Sequence, residues 1–169
     1  MADVFVLRAY EEISRELEAA RVRYLVVGGL AVYAYGSQRA THDIDLVIQL
    51  EQGNVLRAFA ALEKASYRPL VPMTAAQFGD ASERQQAIRD KDMVVLNFWS
   101  DRYPLTRLDV FVAEPFDFDA EYEKAHVEHL LPGVEFRYPR VEALLSMKRK
   151  AGRPKDLLDI EWLERYAKK

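Results

Sequence analysis

The sequence predicts a mixed α/β (α+β) fold, and three observations carry that prediction. Val6, Tyr10, Ile13 and Leu17 recur at spacings of four, three and four, the period of an amphipathic helix over the first 20 or so residues. Tyr24-Leu25-Val26-Val27 is then a short apolar run with β-branched residues that stops at Gly28-Gly29, which reads as a strand ending in a tight turn. Further short apolar runs follow, separated by segments of helical period, so strands and helices alternate along the chain.

The elements follow in order. Leu30 to Tyr35 is long enough for two turns of helix before Gly36 ends it. Ile44 to Ile48 is a second strand, and Asn54 to Lys64 a helix with Asn54 at its N-cap. From Pro69 to Asp92 the periodicity fades into a polar stretch, which predicts a loop or mobile insertion. Met93 to Trp99 and Arg107 to Val112 are two more strands. Beyond Pro115 we expect a short helix over 119–124, a strand over 134–138 and a helix over 140–150 that Gly152 breaks. Pro154 suits the first turn of a last helix, whose buried side is expected to be Leu157, Leu158, Ile160, Trp162 and Leu163.

Composition bounds what such a chain can be. With 169 residues, half of them hydrophobic and 30% charged, it is expected to form a single domain over 1–169, with a helical C-terminal part at about 140–169. The absence of cysteine excludes disulfides, thiolate metal sites and a cysteine nucleophile, and makes the cytoplasm the expected compartment. Asp3 stands where a leader would carry basic residues, and no long apolar run follows, so no membrane association is expected. A formal charge of -3 provides no global attraction to nucleic acid, leaving only a local basic run near the C-terminus.

The chemistry concentrates in Thr41-His42-Asp43-Ile44-Asp45-Leu46. Side chains alternate along a strand, so Asp43 and Asp45 project from one face while Ile44, Leu46 and Ile48 anchor the other. Converging carboxylates suit Mg²⁺, a hard cation that takes oxygen ligands and keeps positions open for phosphate. Asp109 stands alone among apolar residues in a later strand, where a neighbouring strand can bring it alongside the pair. The Gly28-Gly29 turn upstream lets backbone N–H groups approach a phosphate chain. Glycine turn, carboxylate pair and later strand carboxylate together describe a nucleotide-plus-metal site.

Gly28-Gly29-Leu30-Ala31 and Gly36-Ser37-Gln38-Arg39-Ala40-Thr41-His42-Asp43-Ile44-Asp45-Leu46 resemble the minimal nucleotidyltransferases of the polymerase-β superfamily, and most closely its AbiEii-like branch. The likeness continues at Asp109, at Lys148 and at Arg153-Pro154-Lys155-Asp156. It implies a nucleotidyltransferase-type mixed β-sheet flanked by helices, dependence on Mg²⁺ or Mn²⁺, and transfer of a nucleoside monophosphate from a nucleoside triphosphate. The acceptor implied is an RNA end, a protein hydroxyl or a small molecule such as an antibiotic, and toxin-type members suggest a cognate antitoxin as partner. Gly29 stands where the superfamily more often has serine.

Asp43, Asp45 and Asp109 are therefore the expected catalytic and metal-binding residues, and Gly28, Gly29, Arg39, Lys148 and Lys155 the expected substrate-binding ones. Arg39 can meet triphosphate or brace the carboxylates, and Thr41 can fix the start of the strand. Lys148, Arg149, Lys150, Arg153 and Lys155 can steer an anionic substrate or form a solvated helix end. His126 and His129 lack a companion ligand and read as exposed, while His42 faces away from the carboxylates. A non-catalytic nucleotide- or partner-binding module of the same fold is the alternative function.

Overall fold

The computed structural model describes residues 4–169, so Asp3 lies outside the described residues. The chain runs α1 (Val4–Ala19), β1 (Tyr24–Val27), α2 (Gly28–Ala34), β2 (Ile44–Ile48), α3 (Gln52–Lys64), β3 (Arg68–Pro69), α4 (Ala75–Gly79) and α5 (Ala81–Lys91). It continues with β4 (Val95–Trp99), β5 (Leu108–Phe111), α6 (Phe118–Lys124), β6 (His126–Leu131), β7 (Val134–Tyr138), α7 (Val141–Ala151) and α8 (Asp156–Ala167).

Five strands form one mixed sheet in the order β1-β2-β5-β4-β3, with helices flanking it. β2 and β5 are parallel, and every other neighbouring pair is antiparallel. Such a sheet needs a long crossover between its parallel strands, and residues 49–107 supply it with α3 to α5 and strands β3 and β4. β1 and most of β2 are buried, as their near-continuous apolar sequences require. The predicted apolar face of α1 is buried through Val6, Tyr10, Ile13 and Leu17. Tyr10 and Ser14 of the same helix donate to the Glu135 carbonyl at 2.8 and 3.1 Å, tying α1 to the β6–β7 hairpin.

Four sequence expectations are corrected. The N-cap of α3 is Glu51, whose carboxylate accepts from Gly53 and Asn54 N–H at 2.9 Å each. Asn54 is instead fully buried, bonding the Arg23 N–H at 2.8 Å and the Gln49 carbonyl at 2.9 Å, and so joins the start of β1 to the end of β2. The stretch from Pro69 to Asp92 holds two helices, α4 with a Thr74–Gln77 capping box and α5 capped by Asp80. Their apolar signal is weak because Phe78 and Ala87 are the residues they bury. β6, which sequence reading passed over, is held by pairing with β7 and carries exposed residues from His126 to His129.

The fourth correction concerns α8. Leu157 and Leu158 are 63% and 66% exposed, whereas Asp156 and Asp159 are buried with Leu163 on the inner face. That face meets the buried Lys148 through its two carboxylates and the apolar core through Leu163.

Candidate active site

The parallel register of β2 and β5 sets Asp45 directly beside Asp109. Side chains at matched positions of neighbouring strands point to the same face, so two residues 64 positions apart share one patch. On its other side Asp45 is paired with Val27, the last residue of β1, after which the chain turns through Gly28 at φ +66°. A Cβ on Gly28 would lie 2.0 Å from Asp45 Oδ2, so this turn is packed against the carboxylate and admits no side chain. A Cβ on Gly29 would lie 2.5 Å from Thr41 Oγ1; the threonine hydroxyl fills the space a serine at that turn would need.

Asp43 lies two residues before Asp45 and therefore on the same face. Its carboxylate is held by Arg107, Nε to Oδ1 at 3.4 Å and Nη2 to Oδ2 at 3.3 Å. Arg107 stands just before β5, and its carbonyl accepts the Ile44 N–H at 2.9 Å, which fixes its root at the edge of the site. Asn97 of β4 is the register partner of Asp109 and donates to its Oδ1 at 2.6 Å. The donors described for these carboxylates are thus the charged Arg107 on Asp43 and the neutral Asn97 on Asp109.

Burial pushes the Asp45 carboxyl up to about 6, helped by the negative charges of Asp109 and Asp43 and opposed by Lys148 and Arg153. Asp109 is also raised by burial, against the Asn97 hydrogen bond and the charges of Arg107 and Lys155, with Asp43 adding to the rise. Arg107 is raised by its bonds and attraction to Asp43. Carboxylates perturbed by burial and by one another mark a candidate functional site.

Of the C-terminal basic run, Lys148 is turned inward and the other four residues stay exposed. Lys148 is buried and donates to Asp159 at 2.7 Å and Asp156 at 3.3 Å. Arg39 forks onto the same Asp159, Nε at 2.7 Å and Nη2 at 3.0 Å, and Arg153 forks onto Asp156 at 2.8 and 3.1 Å. This cluster clamps the α7–α8 corner to the segment leading into β2. Arg149 pairs with Glu164 at 2.7 Å, while Lys150 and Lys155 stay exposed. Lys155 acts on Asp109 through space.

Among the described residues, no three histidine, aspartate or glutamate side chains are gathered closely enough to hold a metal as they stand. Asp45 and Asp109 supply neighbouring oxygen donors, and the Asp43 carboxylate is paired with Arg107. Two surface hollows lie elsewhere, one between α1 and α3 and one lined by Phe5, Val6, His42, Leu105 and Thr106. His126 stacks on Tyr138 at 5.4 Å between ring centres, a packing role. Asn97, Arg107 and Asp159 were not singled out from sequence. A polar Asn97 inside Leu96-Asn97-Phe98 is a usable signal; Arg107 has none, because its partner is 64 residues away.

The family model described as nucleotidyltransferase of unknown function (DUF6036) matches residues 6–164, and the chain belongs to that family. Among curated proteins no sequence matches. The fold is similar to the solution structure of the antibiotic-resistance factor ANT(2'')-Ia, at a TM-score of 0.59 and 14% identity over 93% of this chain and 81% of that one. It is equally similar to a Thermotoga maritima protein described as a candidate nucleotidyltransferase (TM1012), with TM-score 0.59, 14% identity and coverage of 98% and 96%. An antigenic nucleotidyltransferase-like protein of Paracoccidioides brasiliensis matches at TM-score 0.53 and 15% identity, over 94% and 74%. No described helix is long and apolar enough to cross a membrane.

Proposed function

We propose that this nucleotidyltransferase requires Mg²⁺ or Mn²⁺ and moves a nucleoside monophosphate from a nucleoside triphosphate to an acceptor hydroxyl, with residues 1–169 acting as one unit in the cytoplasm. The observation that carries the reading is the side-by-side placement of Asp45 and Asp109 on parallel strands, with the Gly28 turn packed on Asp45. The donor set fits a hard divalent ion: its atoms are carboxylate oxygens, and their crowding raises Asp45 and Asp109 in a way that a dication relieves. Bound there, such an ion supplies charge neutralisation for the attacking oxygen and the departing pyrophosphate.

The protein's own groups take the remaining roles. Asp43 and Asp45 hold the ion, and Asp109, steadied by Asn97, completes the set and accepts the proton of the acceptor hydroxyl. As the acceptor oxygen bonds to the α-phosphorus, the bond from that phosphorus to the pyrophosphate oxygen breaks. Gly28 and Gly29 let the polyphosphate approach the backbone, and Lys155 adds positive charge beside Asp109. Arg39 and Lys148 serve the substrate through the clamp with Asp159.

The acceptor class is an RNA end, a protein hydroxyl or a small molecule. An AbiEii-like assignment, with a cognate antitoxin as partner, rests on the Gly-Gly and Asp-x-Asp segments together with Lys148 to Asp156. A non-catalytic binding module is favoured only by the Asp43–Arg107 pair, which keeps three donors from being gathered beforehand. Binding of each of the four nucleoside triphosphates, with and without Mg²⁺, to the wild type and to Asp43→Asn/Asp45→Asn separates these. Metal-dependent binding lost in the variant, with pyrophosphate released when acceptor is added, supports the enzyme; no binding under any condition removes it.

A further inference from the structure

We infer that Arg107 is a substrate-binding residue held in reserve: in the ligand-free protein its guanidinium occupies Asp43, and when a divalent ion takes that carboxylate the guanidinium passes to the polyphosphate of the nucleotide. The inference rests on the metal-dependent reading above and assigns a role to a residue which that reading leaves unused.

Four observations carry it. The Asp43–Arg107 fork is loose, at 3.3 and 3.4 Å, whereas the Arg39–Asp159 fork closes at 2.7 and 3.0 Å. Its two side chains are 63% and 36% exposed, so the pair is weak and solvent can replace either partner easily. The root of Arg107 does not move with its head, because the Arg107 carbonyl is fixed to the Ile44 N–H at 2.9 Å beside the carboxylates. A guanidinium released there stays within reach of the site and presents the fork that matches phosphate oxygens.

The fourth observation is the state of the other cations. Arg39 and Lys148 are bound to Asp159, which is 1% exposed, and Arg153 is bound to Asp156, equally buried. Moving any of them to a ligand would take one of two cationic partners from a buried carboxylate. Arg107 alone among the described guanidiniums touches a site carboxylate through an exposed contact. Charge also balances: a dication arriving at Asp43, Asp45 and Asp109 replaces the one cation in contact with them, and the displaced cation meets the added phosphate charge.

The test uses Mn²⁺ alone and then an α,β-methylene nucleoside triphosphate at saturating Mn²⁺, both followed by calorimetry on the full chain. For Arg107→Ala, Mn²⁺ is expected to bind about three- to fivefold more tightly, as loss of an exposed competing pair allows. The triphosphate analogue is expected to bind at least about tenfold more weakly, the loss of a charge-assisted hydrogen bond. Arg107→Lys, which keeps the charge but not the fork, should fall between. A merely structural ion pair would leave both affinities unchanged or weaken both together, and either result overturns the inference. Circular dichroism melts verify that the variants are folded, as expected for an exposed residue. Asp43→Asn distinguishes the levels: if the wild type binds Mn²⁺ and analogue and Asp43→Asn does not, the site reading stands and Arg107→Ala judges the inference alone; if the wild type binds neither, both fall.

Discussion

Asp45 Oδ2 and the Cα of Gly28 are packed so closely that the smallest side chain at position 28 would overlap the carboxylate at 2.0 Å. The turn and the acid are therefore one structural unit. Glycine is required at 28 twice over, by the contact and by its φ of +66°. Gly28→Ala is expected to destabilise the protein by about 2–4 kcal/mol, combining left-handed strain with displacement of a buried group. Urea unfolding measures the loss, and an unchanged midpoint would show that the contact is not tight.

Asp45 itself is predicted to trade stability for function. Its carboxyl titrates at about 6 when folded, above its ordinary 3.8. A raised acid binds its proton more tightly in the fold than in the unfolded chain, so the penalty is absent below the ordinary value and complete above about pH 6. Asp45→Asn removes that penalty. In chelator, the variant should be more stable than the wild type by up to about 3 kcal/mol at pH 8, with little difference at pH 4. Adding Mg²⁺ should raise the melting temperature of the wild type but not of the variant.

Asn97 lowers Asp109 through a 2.6 Å hydrogen bond while burial raises it. Asn97→Ala is expected to move the Asp109 titration further upward, seen directly in the carboxyl ¹³C signal of Asp109. The lost charge-assisted bond corresponds to about 1.5–3 kcal/mol. An unshifted titration would place the amide outside the electrostatics of the site.

The C-terminal clamp predicts a ranking. Asp159→Ala leaves buried Lys148 with Asp156 alone and frees Arg39, and should cost about 3–5 kcal/mol, as breaking a buried pair does. Arg39→Ala removes a partner whose side chain is 37% exposed and leaves Asp159 with Lys148, so its cost should be about 1–2 kcal/mol. Denaturant midpoints of the two variants check the order, and equal midpoints would contradict it.

Much of this was legible without coordinates, where local periodicity speaks. Val6 to Leu17, Tyr24 to Val27, Ile44 to Ile48 and Val134 to Tyr138 announced their elements because each buries an apolar face that its spacing repeats. α5 did not, since a helix that buries only Ala87 has no stripe to detect. α8 misled in part: Leu163 is buried as its spacing suggests, but Leu157 and Leu158 are exposed and Asp156 and Asp159 share the buried face, because their partner Lys148 lies on another helix.

The sequence by itself determined the mixed α/β class, the Gly28-Gly29 turn and the alignment of Asp43 with Asp45, because alternation along a strand is a property of the backbone. Tertiary structure alone decided that Asp109 sits beside Asp45, that Arg107 holds Asp43, and that Lys148 turns inward to Asp156 and Asp159. Those relationships join residues from 8 to 64 positions apart, and they exist only once strand register and helix packing have set which distant charges share one neighbourhood.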